Sequence, residues 1–385
     1  MRVLVVHNRY RSHLPSGENR VVDDEVAAMR EAGVDVATFF RSSDELTTLP
    51  PGTRILAAFG PIDGRPSRVE FRDCLRAVRP QVVHLHNPYP LISPTVIADA
   101  KAMGIPVVTT IHNFRLRCMN GLLFRDGQVC TECEDRAVPW PGVRHGCYRD
   151  STAQSVVMAT ALTRHRRAWL DVDRFLAVSD FVARRLTSWG LPPERIRVKP
   201  NPVVDPGPPP PLGQGFCFAG RLAEEKGIRL LLDAWAASGL DGHLPLRIAG
   251  DGPLRDEVAA RCAVSASATF EGLCTADELR VIRTTTAVQV MPSLWFEAHP
   301  AIAESFALGR PVIATAVGAL GDLVDPTVGW AVAPTPDALA DALRAAADLS
   351  EVRRRSTAAR ERFLTVYEAG RVARSLLAHY AAVAR

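Results

Sequence analysis

The sequence contains no apolar stretch near the roughly twenty residues that a membrane-spanning helix needs. Its first apolar run, Val3–Val6, stops at His7-Asn8-Arg9 and is too short for a secretory signal. That run reads as a buried strand and the expected address is cytoplasmic. Peripheral membrane contact, which needs no span, stays open. An excess of one charge is also lacking: 46 Lys and Arg nearly balance 42 Asp and Glu, leaving +4. So small a surplus argues against a nucleic-acid partner. No Gly-x-Gly-x-x-Gly triplet follows the first strand, so a nicotinamide dinucleotide has little support. No serine sits in a glycine-flanked elbow, which argues against a Ser-His-Asp triad.

What is present is ordinary for a folded protein, with 47% apolar and 23% charged residues. A length of 385 residues exceeds what one hydrophobic core usually serves, so two domains are expected. Short apolar runs at Val3–Val6, Val36–Phe40, Val82–His84, Val107–Ile111, Phe175–Val178 and Ile196–Lys199 read as buried parallel strands. Between them, Asp24 to Ala32 and Asp180 to Gly190 read as helices, the first burying Val21, Val22, Val26 and Met29. The alternation stops at Asp205-Pro206-Gly207 and the prolines 208–211, which belong in no helix or sheet interior. A second alternation follows, with strands at Phe216–Ala219, Leu246–Ala249, Thr269–Phe270, Val288–Met291, Val312–Ala314 and Trp330–Val332. The last fifty or so residues read as helix. The expectation is an α/β chain of two doubly wound, Rossmann-like domains, residues 1–202 and 203–364. Open sheets of this kind bind ligands at the carboxyl ends of their strands, which places the expected site in a crevice between the domains.

The densest local chemistry is Ala219-Gly220-Arg221-Leu222-Ala223-Glu224-Glu225-Lys226-Gly227. A strand ends at a glycine, two cations follow, and a helix starts near Gly227. Arg221 and Lys226 could therefore grip a diphosphate beside a helix amino terminus. Gly250-Asp251-Gly252-Pro253 follows the next strand and serves equally well as a structural turn or as ligand contact. Backbone groups around Gly272 and Leu273 sit where a nucleobase could be read. After Met291 come two carboxylates, Glu297 before an apolar helix and Glu304 within it. A carboxylate only accepts hydrogen bonds and so suits a diol.

In the first half, Ser16-Gly17-Glu18 opens a helix, and Gly17 lets backbone approach an anion. His84-Leu85-His86-Asn87 and His112-Asn113 each close a strand. An imidazole there can meet a substrate hydroxyl or serve as a structural hydrogen-bonding group, and His112 is the preferred candidate. Cys118, Cys130, Cys133 and Cys147 form a Cys-x11-Cys-x2-Cys-x13-Cys series. It fits a structural zinc, a disulfide, a redox pair or four separate thiols. Leu122-Leu123-Phe124, in the same segment, could wall a pocket, touch lipid or pack beneath the loop. Arg164-His165-Arg166-Arg167 is a basic cluster, read as a solvated face with anionic lipid as the alternative.

Taken in order, Ser16-Gly17-Glu18, His112, Asn201, Gly220-Arg221, Glu225-Lys226-Gly227, Gly250-Asp251-Gly252-Pro253 and the stretch from Glu297 to Pro311 resemble one family. It is the retaining, nucleotide-sugar-dependent glycosyltransferases of family 4, in an actinobacterial-type subset. The resemblance runs from Met1 to about Ser375 and implies the GT-B fold, with acceptor on the first domain and nucleotide sugar on the second. It implies that Arg221 and Lys226 bind the donor pyrophosphate, Glu304 the ribose hydroxyls and Glu297 the donor sugar. It places Gly17 beside the phosphates, His112 next to the transferred sugar, and Gly220, Gly250, Gly272 and Leu273 around the nucleotide. It also implies that a terminal helix, residues 365–385, packs back on the first domain. Two departures stand out. Six residues separate Glu297 from Glu304 where the family usually has seven, and Asn201 precedes a proline rather than a glycine.

The implied reaction moves a hexosyl or N-acetylhexosaminyl group from a nucleoside diphosphate sugar, a UDP-sugar for preference, to a hydroxyl of a natural-product, small-molecule or glycan acceptor. The sugar donor is a co-substrate and no cofactor is required for the chemistry, since cations and helix ends meet the leaving group. A nucleotide-sugar epimerase of the same fold and a catalytically degenerate carbohydrate-binding protein are the competing readings.

Overall fold

The computed structural model describes residues 1–12, 16–50, 52, 57–65, 67–295 and 300–384. In chain order its strands are β1 (Arg2–Arg9), β2 (Asp35–Ser42), β3 (Val82–Leu85), β4 (Val107–Ile111), β5 (Phe124–Arg125), β6 (Gln128–Val129), β7 (Arg174–Ala177) and β8 (Ile196–Val198). They continue as β9 (Phe216–Ala219), β10 (Leu246–Ala249), β11 (Ala268–Gly272), β12 (Val288–Met291), β13 (Val312–Thr315) and β14 (Gly329–Val332). Contacts divide the chain into two units. The first comprises Met1–Leu123, Thr131–Pro202 and Ala369–Arg385, and the second Phe124–Cys130 and Val203–Glu368. The change of unit at Pro202 precedes the proline run. The short antiparallel β5–β6 hairpin falls with the second unit.

In the first unit six parallel strands run in the order β2-β1-β3-β4-β7-β8. Val3 to Val6 are fully buried because helices cover both faces of such a sheet, which is why the strand reads as an unbroken apolar run. β1 nevertheless continues to Arg9, paired with β2 as far as Ser42. His7 and Asn8 are also fully buried, so this strand ends in polar side chains that an apolar pattern cannot reveal. The following helix spans Gly17–Glu31 and starts well before the expected Asp24, because Ser16 caps it by accepting from the Asn19 amide. Its Val21, Val22, Val26 and Met29 are buried as the spacing predicts. The terminal helix Ala369–Ala381 belongs to this unit, where Leu376 and Tyr380 join a core with Val3, Val5, Val22 and Met29.

The second unit repeats the plan with six parallel strands in the order β11-β10-β9-β12-β13-β14. The strand order reverses between β9 and β12, and in the first unit between β1 and β3. Crevices at such reversals, outside the carboxyl ends, are where doubly wound sheets hold ligands. Buried Arg310 ties the proline run to this unit by donating to the carbonyls of Pro210 and Pro211. No described helix is long and apolar enough to cross a membrane.

Candidate active site

At the second unit's reversal, β9 ends at Ala219 and the chain turns through Gly220 into Arg221. A single turn of tight helix, Glu224–Lys226, closes at Gly227, whose positive φ of 68° admits the chain into helix Ile228–Ser238. A side chain at 227 would strike the Pro292 carbonyl at 1.8 Å, so only glycine brings this turn against the loop after β12. The Leu294 amide completes the junction by donating to the Glu225 carbonyl over 2.8 Å. Arg221 and Lys226 thus flank Glu225 at the mouth of the reversal. Arg221 is largely exposed and pairs with Glu225 at 3.0 Å, while the Lys226 ammonium stands 5.2 Å above the Trp295 ring.

Gly220, Gly250 and Gly272 meet through backbone. The Gly220 amide donates to Ala249 and the Gly250 amide to Gly272. A Cβ on Gly250 would lie 1.8 Å from the Gly220 carbonyl, and one on Gly252 2.5 Å from that of Leu222. These glycines therefore serve close packing of adjacent strand ends. Leu273, next to Gly272, is 63% exposed, an unpartnered apolar surface at that edge. Glu304 lies in helix Pro300–Ala307 and pairs with Arg283 at 2.7 Å, both nearly buried. Arg283 is the partner that a buried carboxylate requires, and it was not among the expected site residues. Glu297 lies outside the described residues.

The first unit's reversal is occupied by a buried polar network. Glu25 sits on the otherwise apolar face of helix Gly17–Glu31 and forms a close ion pair with Lys199, just past β8; both are buried. Glu25 Oε1 lies 3.3 Å from His84 Nδ1 and 3.4 Å from His86 Nε2. His84 also meets Thr110 Oγ1 at 2.8 Å and the Tyr380 hydroxyl at 2.6 Å. His86 Nδ1 reaches His112 Nε2 at 2.9 Å, and the two rings stack. The direction of the His86–His112 hydrogen bond depends on the tautomers of the two rings. Burial depresses the pKa of His84 and of His112 well below the ordinary imidazole value, and the neighbouring His86 pushes both the same way. His7, bonded to Asn19 at 2.9 Å, falls to about 3, chiefly through burial. Burial alone would raise Glu25, but Lys199 and the histidines hold it well below the usual carboxylate range. Glu25, His84 and His86 have ligand atoms within 4.8 Å of one another, as a metal site would. The ammonium of Lys199 already fills the role of counter-ion, which makes this an ion-pair network.

His112 also lines a small pocket within the first unit, with Glu18, Tyr89, Arg115 and Trp169 around it. Glu18 Oε2 accepts from the Tyr10 hydroxyl and from Asn113, both at 3.1 Å, whereas Oε1 is enclosed with no hydrogen-bond partner among the described residues. Burial raises the Glu18 pKa against the opposing pull of Arg115. Gly17 is exposed at the start of its helix, and a Cβ there would meet nothing within 4 Å, which leaves room above the amide.

The remaining sequence features can be placed in the structure. None of the eight cysteines is in a disulfide, and no three of Cys118, Cys130, Cys133 and Cys147 form a metal-ligand cluster among the described residues. The Cys118 sulfur instead bonds Asn120 at 2.9 Å. The basic run is not one patch: His165 is buried against the Ile62 carbonyl, and Arg166 reaches the carbonyl of Arg136. Leu123 and Phe124 are buried, in keeping with packing beneath their loop.

Among solved structures the chain is similar to sucrose-phosphate synthase from Thermosynechococcus elongatus, with TM-score 0.71, 19% identity, and coverage of 99% of this chain and 98% of that one. It is also similar to Anabaena HepE in complex with UDP, with TM-score 0.67, 14% identity, and coverage of 99% and 100%. With two parallel six-stranded sheets, the architecture is the GT-B fold of glycosyltransferases. The profile described as Glycosyltransferase Family 4 matches residues 15–205, and that described as Glycosyl transferases group 1 matches residues 213–348. The chain belongs to the family 4 glycosyltransferases and is a transferase enzyme. Over 236 residues it is 29% identical to the 2-deoxystreptamine glucosyltransferase of Streptomyces kanamyceticus; the match covers 58% of this chain and 56% of the relative's length.

Proposed function

We propose that this enzyme transfers a hexosyl or N-acetylhexosaminyl group from a UDP-sugar to a hydroxyl of a small polyhydroxylated acceptor, with retention at the anomeric carbon. The observation that carries the reading is the pair Arg221 and Lys226 on either side of Glu225, at the reversal where a doubly wound sheet receives its ligand. As the bond from anomeric carbon to phosphate breaks, negative charge grows on the diphosphate. Arg221 exchanges Glu225 for phosphate oxygens, and Lys226 adds a second positive charge. These two cations supply what a divalent ion would otherwise bring. Glu304, held by Arg283, takes the ribose hydroxyls, and Glu297 serves the donor sugar. Gly17 leaves space for the phosphates. His112, its Nε2 held by His86, takes a sugar hydroxyl at Nδ1. The acceptor hydroxyl bonds to the anomeric carbon on the face the phosphate leaves, and its proton passes to the departing phosphate oxygen. The UDP complex of the Anabaena protein supports the choice of base, and the Streptomyces relative supports an aminocyclitol-like acceptor.

A thermal-shift series with UDP, GDP, dTDP and ADP tests the donor class. Selective stabilisation by UDP is expected. Product analysis with and without acceptor then distinguishes transfer from epimerisation; a new nucleotide sugar formed without acceptor would refute the transferase reading.

A further inference from the structure

Among 46 basic side chains only three are lysines, at positions 101, 199 and 226. The Lys226 ammonium stands 5.2 Å above the indole ring of Trp295, within the range of a cation–π contact. The contact is built on the main chain. The Leu294 amide donates to the Glu225 carbonyl, which puts the next residue on each side, Trp295 and Lys226, across the same seam. That seam is fixed by its neighbours: Gly227 lies against the Pro292 carbonyl, and the Thr315 hydroxyl donates to the carbonyl of buried Ser293. A lysine is a point charge on a flexible four-carbon stem, so its aim depends on what the stem and head rest against. Trp295 does not owe its place to its polar atom. Nε1 is enclosed and has no hydrogen-bond partner among the described residues, although a buried indole N–H ordinarily finds one. What the ring offers is its face, the best of the aromatic side chains for a cation.

We infer that Trp295 is a positioning residue, whose indole face holds the Lys226 ammonium at the strand edge where the donor diphosphate is received. The inference rests on the donor reading above and adds to it the group that aims one of its two cations. Titration calorimetry with UDP on the full chain tests it. Trp295→Leu keeps apolar bulk but removes the π face, and should weaken UDP about tenfold, a cation–π contact of middling strength. Trp295→Phe keeps a face and should lose no more than about threefold. In a Lys226→Ala background, Trp295→Leu should cost less than about twofold more, because the cation it serves is gone. Unchanged UDP affinity in Trp295→Leu, an equal loss in Trp295→Phe, or losses that multiply in the double variant would overturn the inference. A second measurement leaves Trp295 in place, so a misfolded variant at 295 does not leave the question open. With isotope-labelled lysine the wild-type chain gives three ε-methylene resonances, one for each lysine. The resonance lost in Lys226→Ala should lie upfield of the other two through the ring current of the indole, and its absence there would remove the contact. Wild-type protein that does not bind UDP would bring down the donor reading and the inference together. UDP weakened by Lys226→Ala but not by Trp295→Leu would remove the inference alone.

Discussion

The two sheets have nearly the same plan and opposite chemistry at the point where their strand order reverses. In the first unit the reversal is filled with interlocked buried side chains, namely Glu25, Lys199, His84, His86 and His112. In the second it is closed by backbone, glycine against carbonyl, with Arg221 on the outside. The first arrangement fixes protonation states by burial. The second sets a largely exposed Arg221–Glu225 pair at the strand edge and confines rigidity to the main chain. One fold edge can therefore be specialised for neutral hydrogen bonding or for charge stabilisation, depending on whether side chains or glycines fill it.

Four measurements sharpen or break this contrast. Glu25→Ala leaves the Lys199 ammonium buried and alone, and should cost about 3–5 kcal/mol of stability in denaturant unfolding. A cost below about 1 kcal/mol, the worth of an exposed pair, would mean the network is solvated. Lys226→Ala should instead lower turnover by about 10²–10³-fold, the usual loss on removing one charge-stabilising donor, with an almost unchanged melting temperature. Loss of stability with retained rate would reverse the roles of the two regions.

The third measurement is the pH dependence of melting. His7 has a folded pKa of about 3 against about 6.5 unfolded, so the folded state resists its protonation. Its contribution is complete above the unfolded pKa and shrinks as pH falls toward 3, by about 2 kcal/mol at pH 5. His84 and His112 act in the same direction, and Glu25, whose pKa is depressed, adds a further loss below the ordinary carboxylate range. A melting temperature that falls steeply from pH 6.5 to 5, and less steeply in His7→Asn, is expected; a flat profile would contradict the buried network. The smallest effect is that of Glu304→Gln, which should weaken UDP about tenfold, as loss of one good hydrogen-bonding charge does, without altering acceptor affinity.

The strands were legible wherever burial on both faces makes an apolar run. Phe216–Ala219, Leu246–Ala249 and Val288–Met291 begin and end where the pattern puts them. The polar ends were not: β1 runs on through buried His7 and Asn8, which resemble a loop in sequence. Arg221 and Lys226 could be found because a strand end, a glycine and two cations are neighbours in the chain. Glu25 and Lys199 could not be paired, since 174 residues separate them, although a carboxylate within an apolar helix face was a visible signal. Arg283 was likewise invisible as the partner of Glu304, because a helix surface gives no sign of which charge will meet it. The glycines at 250 and 252 announced a turn; that they are needed for contact with carbonyls thirty residues earlier required coordinates.

Tyr380, with its hydroxyl on His84, sets a timing condition on biosynthesis. Every strand of the first sheet is made by Val198, yet the helix that seals its core follows only after the whole second unit. Until then the core of Val3, Val22 and Met29 lacks Leu376 and Tyr380. The nascent chain therefore carries an incomplete first unit while the second is made, and removing the helix Ala369–Ala381 would leave that unit permanently unfinished.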